Sequence, residues 1–210
     1  MQNARMYVVF AILLIAAGLV LLLQNLGILE ELSGPMWILL FAVAGLLFLW
    51  MYVGNREQWW PLIPGFALLG IAATIALSEV SGNWAGAAFL GFLSLGFWVI
   101  YLTHREHWWP IIPGGALISI ALMAGLSDTV PGEALAGILF LGLAVTFGIL
   151  ALIPTPEGRM RWPLIPAIIM AVLGLGLSLG AGQLGAVIGA LALIALGVYL
   201  ILRARALRRS

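Results

Sequence analysis

The residues best equipped for chemistry in this chain are few. His104 and His107 stand three apart in Thr103-His104-Arg105-Glu106-His107-Trp108, and imidazole pairs are ligands for metals and haem iron. The same stretch occurs earlier in the chain with Asn55 and Gln58 at those two positions, and Glu106 is the one further donor nearby. The pair therefore reads as interfacial polar residues, with no metal and no cofactor expected. Thr74, Ser94, Ser119, Thr146 and Ser178 are hydroxyls inside long apolar stretches. No His, Asp or Glu shares those stretches, so a serine nucleophile would lack its base. Proton- or sodium-coupled transport would lack the intramembrane charge it relies on. Isolated hydroxyls of this kind bond to their own helix or to a neighbour. The absence of cysteine excludes disulfides, thiolate metal sites and cysteine nucleophiles. No catalytic residue is expected.

The elements that carry these residues are apolar. Hydrophobic residues make up 64% of the 210 and charged residues 8%, against roughly 25% charged in ordinary globular domains. A water-exposed fold of this size could not cover so much apolar surface, so lipid is the expected solvent. Stretches near 20 residues, punctuated by polar residues, Pro or Gly, give eight spans. They run from Tyr7 to Gln24, Met36 to Val53, Pro61 to Ser78, Trp84 to Leu102, Pro110 to Ser127, Ala134 to Ile153, Pro163 to Gly180 and Leu184 to Leu202. Buried backbone polar groups require helices or a closed barrel, and the absence of polar–apolar alternation selects helices. The first run is longer than a signal-peptide core and no small-residue cleavage site follows it, so it reads as a retained span.

Charge gives the orientation. Arg5, Arg56, Arg105, Arg159, Arg161, Arg203, Arg205, Arg208 and Arg209 are all the basic residues there are, and the eight-span reading puts every one on the same side. Glu30, Glu31, Glu79, Asp128 and Glu133 fall on the other. The arginine side is cytoplasmic by the positive-inside rule, so both termini are expected there. The weakest boundary is the seven–eight turn at Ala181-Gly182-Gln183.

The sequence also repeats. Arg56-Glu57-Gln58-Trp59-Trp60-Pro61-Leu62-Ile63-Pro64-Gly65 recurs 49 residues later as Arg105-Glu106-His107-Trp108-Trp109-Pro110-Ile111-Ile112-Pro113-Gly114. A looser copy, Arg159-Met160-Arg161-Trp162-Pro163-Leu164-Ile165-Pro166-Ala167, lies 53 residues further on. Tyr52 and Tyr101 each precede the repeat arginine by four residues, as Tyr199 precedes Arg203. The unit is a two-helix hairpin used four times in the same orientation, over about 1–54, 55–103, 104–157 and 158–210. The motif explains itself as a membrane anchor. Tryptophans favour the headgroup level, Pro61, Pro110 and Pro163 suit a first helical turn, Trp60, Trp109 and Trp162 mark breaks before proline, and arginine reaches lipid phosphate. Tyr52, Tyr101, Trp59 and Trp108 complete the expected interfacial set. In the last span, Gly185, Gly189 and Gly197 form a small-residue stripe suited to close helix packing.

The segment Gly18-Leu-Val-Leu-Leu-Leu-Gln-Asn25-Leu-Gly27-Ile-Leu, followed by Trp37 and an apolar run, resembles the LiaI/LiaF-type transmembrane region. The Trp-Pro-Leu-Ile-Pro-Gly segment leading into a glycine-rich helix is similar to it as well. The likeness covers the first hairpin well and the later ones loosely. It implies a bacterial membrane protein tied to envelope-stress sensing, often through a separate soluble segment. Here only Arg203 to Ser210 follows the last span, a departure from that pattern.

The expectation is an all-α, polytopic integral membrane bundle of eight helices, a single membrane domain made of four tandem hairpins. Its role is expected to be non-enzymatic: a scaffold, an accessory subunit or a stress-response component of the bacterial inner membrane. The alternative is a carrier of a lipid or small apolar molecule. An enzyme at the cytoplasmic surface using His104, His107, Glu57 and Glu106 is the least supported. Expected partners are membrane lipids, with anionic headgroups at the arginines, and a protein partner or a second copy; no nucleic acid is expected.

Overall fold

The computed structural model describes residues 11, 14, 15, 18, 19, 21–27, 33–78, 80–155 and 158–178. The described residues are almost entirely helical. Six helices run in order: α1 (Ser33–Gly54), α2 (Leu62–Leu77), α3 (Gly82–Thr103), α4 (Ile111–Gly125), α5 (Gly132–Leu152) and α6 (Leu164–Ser178). Helical residues also occur from 11 to 25, where Leu26 N–H bonds to Leu22 O at 3.0 Å and Gly27 N–H to Gln24 O at 3.0 Å. Gly27, at φ 70°, ends that segment in the left-handed conformation only glycine adopts cheaply. α1, α3 and α5 are long and apolar enough to cross a membrane.

Among the described residues, extensive helix–helix contact joins only helices consecutive in sequence. Each is an antiparallel pair, and each is closed by small residues at the contact between the facing helices. A Cβ on Gly45 of α1 would lie 2.8 Å from Gly65 O of α2, and one on Gly65 would lie 2.8 Å from Leu49. Between α2 and α3, Gly70 faces Phe89, and Thr74 Oγ1 donates both to Gly70 O and to Ala85 O, each at 2.9 Å. Ser94 Oγ of α3 donates to Gly114 O of α4 at 2.7 Å. Between α4 and α5, a Cβ on Gly115 would strike Thr146 and one on Gly142 would strike Ser119, while each hydroxyl donates to the glycine carbonyl four residues back on its own helix. Gly137 of α5 faces Ser178 of α6, and Gly174 faces Leu141. Absent side chains let the backbones approach closely, so packing and short hydrogen bonds hold the pairs even where no water is expelled.

Two features differ from the sequence reading. A two-stranded antiparallel ribbon, β1 (Pro154–Thr155) with β2 (Gly158–Arg159), stands between α5 and α6, pairing Pro154 with Arg159 and Thr155 with Gly158. Gly158 at φ 102° makes the tight return. In addition, α2 and α4 are shorter than the apolar stretches that contain them, with 16 and 15 residues. Two prolines three apart open each apolar stretch, and the regular helix begins one residue after the first of them. The expected first and last spans, the turn at 181–183, the glycine stripe of 185–197 and the terminal arginines lie wholly or largely outside the described residues, as do Arg5, Glu30, Glu31 and Glu79.

Candidate functional site at the tryptophan loops

Three Trp-Pro loops precede α2, α4 and α6, and their backbones make the same hydrogen bonds. Gly65, Gly114 and Ala167 donate to the first proline's carbonyl, Pro61, Pro110 and Pro163, at 3.0, 2.9 and 3.0 Å. The next set runs from Leu62, Ile111 and Leu164 to Trp59, Trp108 and Arg161, at 3.1, 3.3 and 3.3 Å. Pro61 and Pro110 carry helix-like φ of −66° and −65°, the angle the pyrrolidine ring imposes anyway. All three prolines are fully buried. They are therefore packing elements as well as helix starts.

The tryptophan before each proline stacks edge-on against a phenylalanine of the preceding helix. The ring pairs are Trp60 with Phe48 at 6.3 Å, Trp109 with Phe97 at 6.0 Å, and Trp162 with Phe147 at 6.2 Å. Such T-shaped pairs add about 0.5–1.5 kcal/mol beyond the area they bury. Trp59 does something different. It lies across to the second loop, 5.3 Å from Trp109 and 6.2 Å from His107. Tyr52, at the end of α1, is buried and lies 6.3 Å from His104. With Leu62 and Ile100 it forms the apolar cluster where α1, α2 and α3 meet, flanked by Trp59, Phe66 and Phe97. The first two loops are thus one packed unit, and the side holding Arg56 also holds Arg105.

The polar groups of this unit are sparse. Thr103 Oγ1 donates to Val99 O at 2.7 Å and meets His104 Nδ1 at 3.0 Å. His104 and His107 rings are 6.1 Å apart. His107 Nδ1 lies 3.3 Å from Glu106 Oε1, but the alignment is too poor for a hydrogen bond, and this enclosed nitrogen has no other partner among the described residues. The Glu106 carboxyl is held below its ordinary 4.5, chiefly by a hydrogen bond from its own backbone N–H, which outweighs the opposing effect of burial, with His107 and His104 adding to the lowering. Glu57 N–H bonds to Asn55 Oδ1 at 3.3 Å, so the first loop uses Asn55 to brace its backbone where the second has His104. Arg56, Arg105 and Arg161 are exposed, and so is half of Trp162. Among the described residues, no group of three or more His, Cys, Asp or Glu is placed to hold a metal ion.

The expected interfacial residues therefore divide. Tyr52, Trp59 and Trp109 come together, Trp60 and Trp162 each pack on the helix just before their loop, and Tyr101 pairs with Trp98 at 6.3 Å. Sequence reading missed Phe48, Phe97 and Phe147, whose signal was their spacing of 12, 12 and 15 residues before a Trp-Pro. It also missed the Gly115/Ser119 and Gly142/Thr146 interlock, which is a small-xxx-small pattern on each of two adjacent helices. On the opposite side of the molecule, Leu77, Trp84, Ala87, Ala88, Gly91, Ile118, Ala121 and Leu122 line an apolar groove of about 260 Å³. No protein-family model, curated protein or solved structure matches the chain.

Proposed function

We propose that this chain is a non-enzymatic, polytopic protein of the bacterial inner membrane. It crosses eight times as four parallel hairpins, holds both termini in the cytoplasm and acts as a scaffold or accessory subunit. The resemblance of its first hairpin points to envelope-stress signalling as the setting. The supporting observation is what happens to the hydroxyls. Ser94, Ser119 and Thr146 are buried, and each is spent on a backbone carbonyl. A transport path needs such groups turned toward a ligand or water. At about 1.5 Å per residue, the 16 residues of α2 cover about 24 Å. The Trp-Pro turn carries the chain onward to the headgroup level, where Trp59, Trp60 and Arg56 meet anionic lipid.

The second reading is a carrier of a lipid or small apolar molecule, and the groove beside Trp84 favours it. Gentle extraction from the native membrane, followed by identification of what stays bound, separates the two. A stoichiometric protein partner supports the accessory role. A bound lipid or small molecule without a protein partner replaces it with the carrier. Reporter fusions in the loops at Arg56 and Asp128 test the orientation: the first is expected inside and the second outside.

A further inference from the structure

Thr103 Oγ1 donates to Val99 O at 2.7 Å and meets His104 Nδ1 at 3.0 Å, and His107 Nδ1 lies 3.3 Å from Glu106 Oε1. The two rings lie 6.1 Å apart, one against Tyr52 of α1 and the other against Trp59 of the first loop. From these facts we propose that His104 and His107 form a proton-responsive joint between the first and second Trp-Pro loops.

A proton taken up by either ring places positive charge beside an aromatic ring of another segment, Tyr52 for His104 and Trp59 for His107, where one charge is attracted. A second charge on the other ring, about 6 Å away, is repelled. Glu106, on the same loop, and Glu57, on the facing loop, are the acidic groups here, Arg105 and Arg56 the basic ones; α1 contributes Tyr52, α2 none, and α3 Tyr101 and the Thr103 hydroxyl. Added charge on these rings therefore acts on the contact between loops rather than within one. The first loop has Asn55 and Gln58 at the equivalent positions, so the device belongs to the second loop alone.

The test uses the full chain in detergent, titrated between about pH 8 and 5, the range in which imidazole changes charge. Trp59 is the reporter, because a protonated imidazole quenches an adjacent indole. The wild type is expected to lose tryptophan emission on acidification. His104→Asn with His107→Gln, which installs the first loop's own residues, is expected to remove more than half of that loss, as is Trp59→Phe. An unchanged pH profile in the double variant overturns the proposal, and so does a flat profile in the wild type. Under the orientation proposed above, the joint responds to cytoplasmic pH. A reversed orientation would change the compartment but leave the detergent titration intact, so the two failures are distinguishable.

Discussion

The second and third Trp-Pro loops share backbone hydrogen bonds, a buried proline and a Trp–Phe pair, yet they differ in what surrounds them. Ile111, which follows Pro110, is fully buried, whereas Leu164, which follows Pro163, is 46% exposed. The second loop has a loop before it to pack on, and Trp59 reaches across to fill the space. The third has Arg161 where the others have Trp59 and Trp108, and a two-stranded ribbon replaces the connecting turn. The local motif is thus enough to start a helix and bury a proline. The packed joint between the first two loops is made by Trp59 against Trp109 and His107.

The largest effect should come from removing that bridge. Trp59→Ala with Trp60→Ala is expected to cost about 3–5 kcal/mol, read as thermal stability in detergent, while Trp162→Ala costs about 1 kcal/mol. Equal losses would mean the two loops are held alike. Next, Ile111→Ala should cost about 2–4 kcal/mol and Leu164→Ala less than about 1 kcal/mol; a denaturant titration showing the reverse order would break the comparison. Ser94→Ala removes one hydrogen bond between α3 and α4 and should cost about 1 kcal/mol, well below the tryptophan pair. If it matched that pair, the helix interlocks rather than the loops would dominate. The smallest effect concerns Glu106. Its lowered folded value means its contribution is complete above the ordinary 4.5 and fades as pH falls through the lowered value. The stability gap between wild type and Glu106→Gln should accordingly close on acidification below about 4.5, and a gap that widened there would contradict the assignment.

Much of this was legible in the residues. Helix positions followed from apolar runs and their punctuation, because lipid-type composition leaves few alternatives. The bonding of Thr74, Ser94, Ser119 and Thr146 to backbone followed from the lack of any ionisable neighbour. The meeting of Tyr52 with His104 and of Trp59 with Trp109 did not, because residues about 50 apart are joined only by the way three helices stack. The ribbon at 154–159 was hidden as well, since two-residue strands leave no periodicity and Pro154 with Gly158 reads equally as a loop. The short length of α2 and α4 was masked by apolar residues that continue through the proline turns.

Confinement of helix packing to neighbours in sequence has a consequence for how the chain is made. Closing short loops costs little entropy, and folds rich in local contacts form quickly. Each helix from α2 to α6 finds its main docking surface on the helix synthesised just before it. Among these helices, assembly can therefore keep pace with translation, each docking on the one made just before it.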